Sequence, residues 1–155
     1  MRVLFISDVY FPRVNGVSTS IRTFRDDLGR CGIGTTLVAP EYGVPSDDRD
    51  PDLVRVSGAG VPGDPEDRRM HWGALKRALR ALSGEDFDLV HIHTPFVAHY
   101  AGVWYARRIG VPCIATYHTF FEEYLHHYLP ILPRHWERVK CRAMKRPKRR
   151  GRTGR

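Results

Sequence analysis

The 155-residue sequence predicts an α/β fold, a doubly wound parallel sheet. Three observations carry that prediction. Short β-rich apolar runs alternate with stretches of helical periodicity along the chain. Residues 89–130 show this alternation twice in succession, as strand, polar turn and helix. Each strand of that unit stops abruptly, the first in His93, Thr94 and Pro95 and the second in Tyr117, His118 and Thr119. Two strands joined by one crossover helix must lie parallel, so both polar turns open on the same edge of the sheet. Open α/β sheets bind their ligands at that edge, which makes it the expected site.

Residues 2–7 (RVLFIS) begin the chain as a central parallel strand would, apolar and β-rich. Residues 8–16 (DVYFPRVNG) read as a turn broken by Pro12 and by Asn15-Gly16. Val17, Ile21, Phe24 and Leu28 then share one helical face, and 29–32 closes the helix. A second strand over 36–39, ended by Pro40, completes a βαβ opening. The polar stretch 41–51 is a loop, and 53–56 is a short third strand. Residues 57–66 (SGAGVPGDPE) hold three glycines and two prolines and read as a mobile loop. Over 72–82, Leu75, Ala78, Leu79 and Leu82 line one helical face while Lys76, Arg77 and Arg80 line another. Val97, Tyr100, Ala101 and Trp104 repeat at helical spacing, stopped by Gly110 and Pro112. The apolar run 113–116 is the last strand of the series.

Beyond Pro133 the pattern changes, and 145–155 (KRPKRRGRTGR) has too little apolar surface to pack, so the tail is expected to be disordered. The net charge of +8 belongs to this end: 134–155 carries 11 Lys or Arg against the single acid Glu137. The first 133 residues are nearly neutral, with 14 basic and 16 acidic side chains. Cys31, Cys113 and Cys141 are odd in number, widely spaced and without a C-x-x-C, so neither a disulfide framework nor a zinc site is expected and a reducing cytoplasm fits. The apolar run 3–6 is too short for a signal peptide, and nothing approaches the ~20 apolar residues of a membrane span.

Four features bear on chemistry. Asn15-Gly16 stands between the first strand and the first helix, where backbone N–H groups can hold a phosphate and a glycine lets a ligand approach; an ordinary βα turn accounts for the pair equally well. His118 ends a strand at the binding edge, where an imidazole can bond a hydroxyl or assist a reacting centre; a capped structural histidine is the plainer account. The pairs His91/His93 and His126/His127 are read as packing or surface residues rather than as a metal set. The basic helix 72–82, preceded by Arg68 and Arg69, suits either an anionic lipid surface or a solvated outer face.

The stretches MRVLFISDVYFPRVNGVSTSIRTF, DLVHIHTPF and GVPCIATYHTFFEEYLHHY together resemble the N-terminal domain of family 4 glycosyltransferases of the GT-B architecture. The flavour is that of bacterial diacylglycerol glucosyltransferases and phosphatidylinositol mannosyltransferases. The resemblance covers residues 1–133 and leaves 134–155 as a basic tail. It implies one Rossmann-like half of a two-domain enzyme that transfers a sugar, with retention, from a UDP- or GDP-linked donor to an acceptor such as a lipid, without a metal or other cofactor. It implies that Gly16, with Asn15, approaches the donor diphosphate or the acceptor, and that His118 contacts the transferred sugar near the reacting carbon. Tyr10, Thr94 and Thr119 become acceptor-side candidates, and Arg68 falls roughly where the mannosyltransferases hold a lipid phosphate. Cytoplasmic location, peripheral on the inner face of the plasma membrane, is the matching expectation.

Elementary chemistry agrees with this resemblance. Departure of a nucleoside diphosphate leaves positive charge on the sugar and negative charge on phosphate, so catalysis needs an electropositive nest and oriented polar groups. In this family most donor contacts come from a C-terminal domain, whose Arg/Lys pair and Glu-containing motif have no counterpart here. The expectation is therefore a truncated or frameshifted product, inactive or nearly so alone. Two other classes stand beside it: a binding module that recruits a partner subunit carrying the missing half, and a nucleic-acid-associated protein driven by its tail. The tail lacks interleaved aromatics, a recognition helix and zinc ligands, which argues against specific nucleic-acid binding.

Overall fold

The run VLFI near the start of the chain is buried on both faces, as a central strand requires. The computed structural model describes residues 1–43, 50–61 and 64–118, the side chains of 61 and 64–67 excepted. The chain divides into two units, Met1–His118 and Thr119–Arg155, and the described residues are those of the first. Thr119, His126, His127, Cys141, the boundary at 133 and the tail 134–155 lie outside them.

In chain order the elements are β1 (Arg2–Ile6), α1 (Gly16–Arg30), β2 (Gly34–Pro40), β3 (Leu53–Val56), β4 (Gly58–Val61), β5 (Asp64–Met70), α2 (Trp72–Ala81), β6 (Leu89–Ile92), α3 (Val97–Ile109) and β7 (Cys113–Ala115). A 3-10 turn, Leu82–Gly84, follows α2. Five strands form one parallel sheet of order β3-β2-β1-β6-β7. The chain steps from β1 out to β2 and β3, then crosses back to β6 and β7 on the other side. The switch point therefore lies between β1 and β6, at their C-terminal ends.

Period-two alternation splits the core between the two faces. Val3, Phe5, Leu37 and Ala39 pack with Tyr10 and with Ile21 of α1. Leu4, Ile6, Val38, Val90 and Ile92 pack with Leu75 and Leu79 of α2 and with Ala98, Ala101 and Tyr105 of α3. Helices on both faces make the sheet doubly wound, as the sequence predicts. Gly102 lets α3 approach the sheet: a Cβ there would lie 2.7 Å from Ile92 Cγ1 and 3.4 Å from Ile6 Cδ1. Gly110, at φ 77°, ends α3 in the left-handed conformation that favours glycine.

The predicted loop over 57–66 is corrected by the structure. Gly58–Val61 and Asp64–Met70 pair as an antiparallel hairpin, with Gly58 opposite Met70 and Gly60 opposite Arg68. The glycines that suggest a loop are what permit the pairing, since a Cβ on Gly58 would sit 2.5 Å from the Arg69 carbonyl oxygen. Met70, 2% exposed, anchors the hairpin in the α2/α3 core. Two helical faces also shift: Phe24 and Tyr100 are 41% and 63% exposed, so Ile21 carries the buried apolar surface of α1, and Tyr105 with the small residues Ala98, Ala101, Gly102 and Ala106 carries that of α3. Among the described residues Cys31 and Cys113 are free thiols, and no helix is long and apolar enough to cross a membrane.

Candidate functional site

At the switch point the ladder runs one residue past the strand ends. Ser7 N–H donates to Val38 O at 3.1 Å, and His93 N–H donates to Ile6 O at 3.0 Å. The next residues, Asp8 and Thr94, lock together. Asp8 N–H donates to Thr94 Oγ1 and that hydroxyl donates to Asp8 Oδ2, both at 2.8 Å. Asp8 Oδ2 also accepts from Ala98 N–H at 3.0 Å, in the first turn of α3. Phe96, the N-cap of α3, makes no side-chain cap bond, and the Asp8 carboxylate from beyond β1 accepts one of that helix's first N–H groups. Burial raises the Asp8 pKa from 3.8 to about 6, against the opposing effects of the Ala98 and Thr94 bonds. Asp8 is absent from the sequence-based candidates; its place directly beyond a central strand was the available signal.

The second feature is a cluster of imidazoles. His91 of β6 and His93, one residue past its end, are both buried, with ring centroids 4.1 Å apart. Phe5, the register partner of His91, stacks on His93 at 5.0 Å, and Phe24 of α1 meets His91 edge-on at 5.7 Å. Thr116, just past β7, donates its N–H to Ile92 O at 2.8 Å and holds its hydroxyl oxygen 2.7 Å from His91 Nε2. Two residues on, His118 reaches back over the cluster, with its Nε2 3.1 Å from His93 Nδ1. Burial, aided by the neighbouring histidines, lowers His91 to about 4 and His93 to about 2. Burial also lowers His118. These rings are neutral near pH 7. Among the described residues no group of His, Cys, Asp and Glu is arranged to hold a metal.

At the start of α1, Asn15 is the N-cap: its Oδ1 accepts from Ser18 N–H at 2.8 Å and its carbonyl accepts from Thr19 N–H at 3.0 Å. The side chain of Asn15 is thus engaged in holding the helix. Gly16 lacks a positive φ, and a Cβ there would meet nothing within 4 Å. No internal neighbour of Gly16 demands a glycine.

Of the other predicted site residues, the structure joins Thr94 to the site, with its hydroxyl bonded to Asp8 in both directions. Tyr10 is 8% exposed and packs in the α1-side core, its N–H donating to the Tyr42 hydroxyl at 3.3 Å. Arg68 stands half-buried on β5, within the hairpin rather than on a strand end. Thr119 falls outside the described residues. The packing role read for His91 and His93 holds, but the bond from His93 to His118 was not legible, because it links residues 25 positions apart.

A parallel sheet wound on both faces, with polar strand ends gathered at its switch point, defines a Rossmann-like α/β domain. Residues 14–150 match the family model described as Glycosyltransferase Family 4. The chain is 32% identical over 131 residues to the alpha-monoglucosyldiacylglycerol synthase of Streptococcus pneumoniae, covering 82% of this chain and 29% of that protein. It is 30% identical over 142 residues to the protein of the same name from Acholeplasma laidlawii, covering 86% and 34%. It is 37% identical over 123 residues to the GDP-mannose-dependent alpha-mannosyltransferase of Mycobacterium tuberculosis, covering 77% and 32%. The chain belongs to glycosyltransferase family 4, and it spans about a third of the length of these relatives.

Proposed function

We propose that this chain is the acceptor-side half of a retaining glycosyltransferase that moves a sugar from a UDP- or GDP-linked donor to a lipid acceptor. The observation that carries the reading is the gathering of neutral imidazoles, with His118 outermost in sequence, at the strand-end edge from which α1 also starts. Gly16 and Val17 head α1, where the first N–H groups of a helix have no intrahelical acceptor and favour an anion. The open space over Gly16 suits close approach of the donor diphosphate. His118 bonds the transferred sugar, and no metal or cofactor is assigned. The names of the relatives, a glucosyldiacylglycerol synthase and a GDP-mannose-dependent mannosyltransferase, support a nucleotide-sugar donor and a glycolipid product.

The same reading includes contact with a membrane surface. Trp72, Phe96 and Tyr100 are exposed around a shallow apolar hollow of about 640 Å³ bordered by Arg69. Arg77 and Arg80 are exposed on α2, the helix that Trp72 opens. Aromatic rings beside cationic heads suit an anionic interface.

The test follows amide shifts of the 155-residue chain during titration with UDP- and GDP-sugars, beside transfer of radiolabelled sugar to a lipid extract. Donor-induced shifts are expected at Gly16, Val17 and His118, with little or no transfer by this chain alone. In any form of the protein that transfers sugar, His118→Ala lowers the rate about 100-fold or more. Shifts confined to other residues, or transfer indifferent to His118→Ala, overturn the reading.

A further inference from the structure

We propose that His93 is a positioning residue: its Nδ1–H donates to Nε2 of His118 and fixes His118 as the Nδ1–H tautomer, so that Nδ1–H is what His118 offers a ligand. The two rings meet through one nitrogen each, at 3.1 Å, and lie nearly parallel with centroids 5.3 Å apart. Two neutral imidazoles can share such a contact in two ways. If His118 Nε2–H donates, His93 must carry its own proton on Nε2. That atom is buried and has no hydrogen-bond partner among the described residues, so an orphaned N–H would stand in the interior, the rarer of the two faults. If His93 Nδ1–H donates, the buried Nε2 is a bare lone pair beside the stacked ring of Phe5.

Charged alternatives are opposed by the surroundings. His93 is 1% exposed, and among the described residues the groups recorded against the pair are His91, Thr116, Phe5 and Phe24, none of them a carboxylate. A cationic His93 would donate from both nitrogens with no acceptor at Nε2, and burial together with His91 and His118 holds it neutral. The packing of His93 between Phe5 and His91 then makes the tautomer of His118 a property of the fold. A sugar hydroxyl or phosphate oxygen would accept from Nδ1–H; this last step rests on the glycosyltransferase reading, whereas the tautomer does not.

Long-range proton–nitrogen spectra of the 155-residue chain with ¹⁵N-labelled histidine, at neutral pH and without ligand, test the assignment. The wild type is expected to show His118 with Nδ1 protonated and Nε2 bare. In His93→Leu the His118 Nε2 resonance is expected to move to the protonated position, as the ring relaxes to the tautomer preferred by a free imidazole. His93→Asn, whose amide N–H falls close to the place of the lost Nδ1–H, is expected to restore the wild-type pattern. A protonated Nε2 on His118 in the wild type overturns the proposal, and so does an unchanged tautomer in a folded His93→Leu. Should His93→Leu fail to fold, the wild-type spectrum still decides. No sugar enters the measurement, so its outcome is independent of whether the chain serves a glycosyltransferase.

Discussion

Asp8 and His93 are both ionisable residues buried beside the same crevice, and they meet the cost of burial differently. His93 gives up its charge and keeps one nitrogen without a partner among the described residues. Asp8 collects donors from Thr94 and Ala98, yet burial still raises its pKa from 3.8 to about 6. The folded chain therefore holds the Asp8 proton more tightly than the unfolded chain does. The resulting stabilisation is fully present below pH 3.8 and is lost as pH rises through 6. A shift of this size corresponds to about 3 kcal/mol. The depressed histidines act oppositely, because acid charges them in the unfolded chain first, so the Asp8 contribution shows only by difference. Asp8→Asn, whose amide oxygen can still accept from the Ala98 N–H and the Thr94 hydroxyl, is expected to gain stability relative to wild type between pH 4 and pH 7. Urea unfolding at the two pH values checks this, and a pH-independent difference would count against a raised Asp8 pKa.

At the scale of elements, glycines mark where backbones come closest. In β4, Gly58 faces the Arg69 carbonyl, and in α3, Gly102 faces Ile92 and Ile6. Alanine is the better helix former by ~1 kcal/mol, so propensity alone predicts that Gly102→Ala stabilises the protein. Packing predicts the reverse, since the added methyl would enter a filled core. Gly58→Ala and Gly102→Ala are each expected to lower the unfolding free energy by about 1–3 kcal/mol. Denaturant unfolding checks both, and a neutral Gly58→Ala would argue against the hairpin. The strands and helices of the sheet were legible in the sequence because their apolar periodicity reports burial directly. The hairpin was not, because its evidence is a pairing partner across the turn and an anchor, Met70, in a distant core.

For the whole molecule, the sheet order brings residues from three separate stretches to one edge, and the basic helix α2 lies in the crossover that leads to it. Part of that basic face is engaged within the fold. Lys76 Nζ lies 5.0 Å from the centre of the Trp104 ring, and the Arg80 guanidinium 5.6 Å from it. Arg77 is exposed. If α2 docks on lipid as proposed, the Arg77→Gln/Arg80→Gln double variant of the full chain loses about ten- to thirtyfold in affinity for anionic vesicles, at roughly 1 kcal/mol per charge. Co-sedimentation with anionic and neutral vesicles measures it while the basic tail is held constant. Unchanged binding would assign the contact to another part of the chain.

The sequence by itself determined the parallel doubly wound class, the limits of most strands and helices, and the edge that carries His93, Thr94 and His118. These follow from apolar period and from chain connectivity, both of which are local or topological. Only the tertiary structure decided that Asp8 caps α3, that Asn15 caps α1, that Tyr10 lies in the core and that His93 holds His118. Each of those depends on which atoms share a few ångströms after folding, and residues up to 90 positions apart meet there.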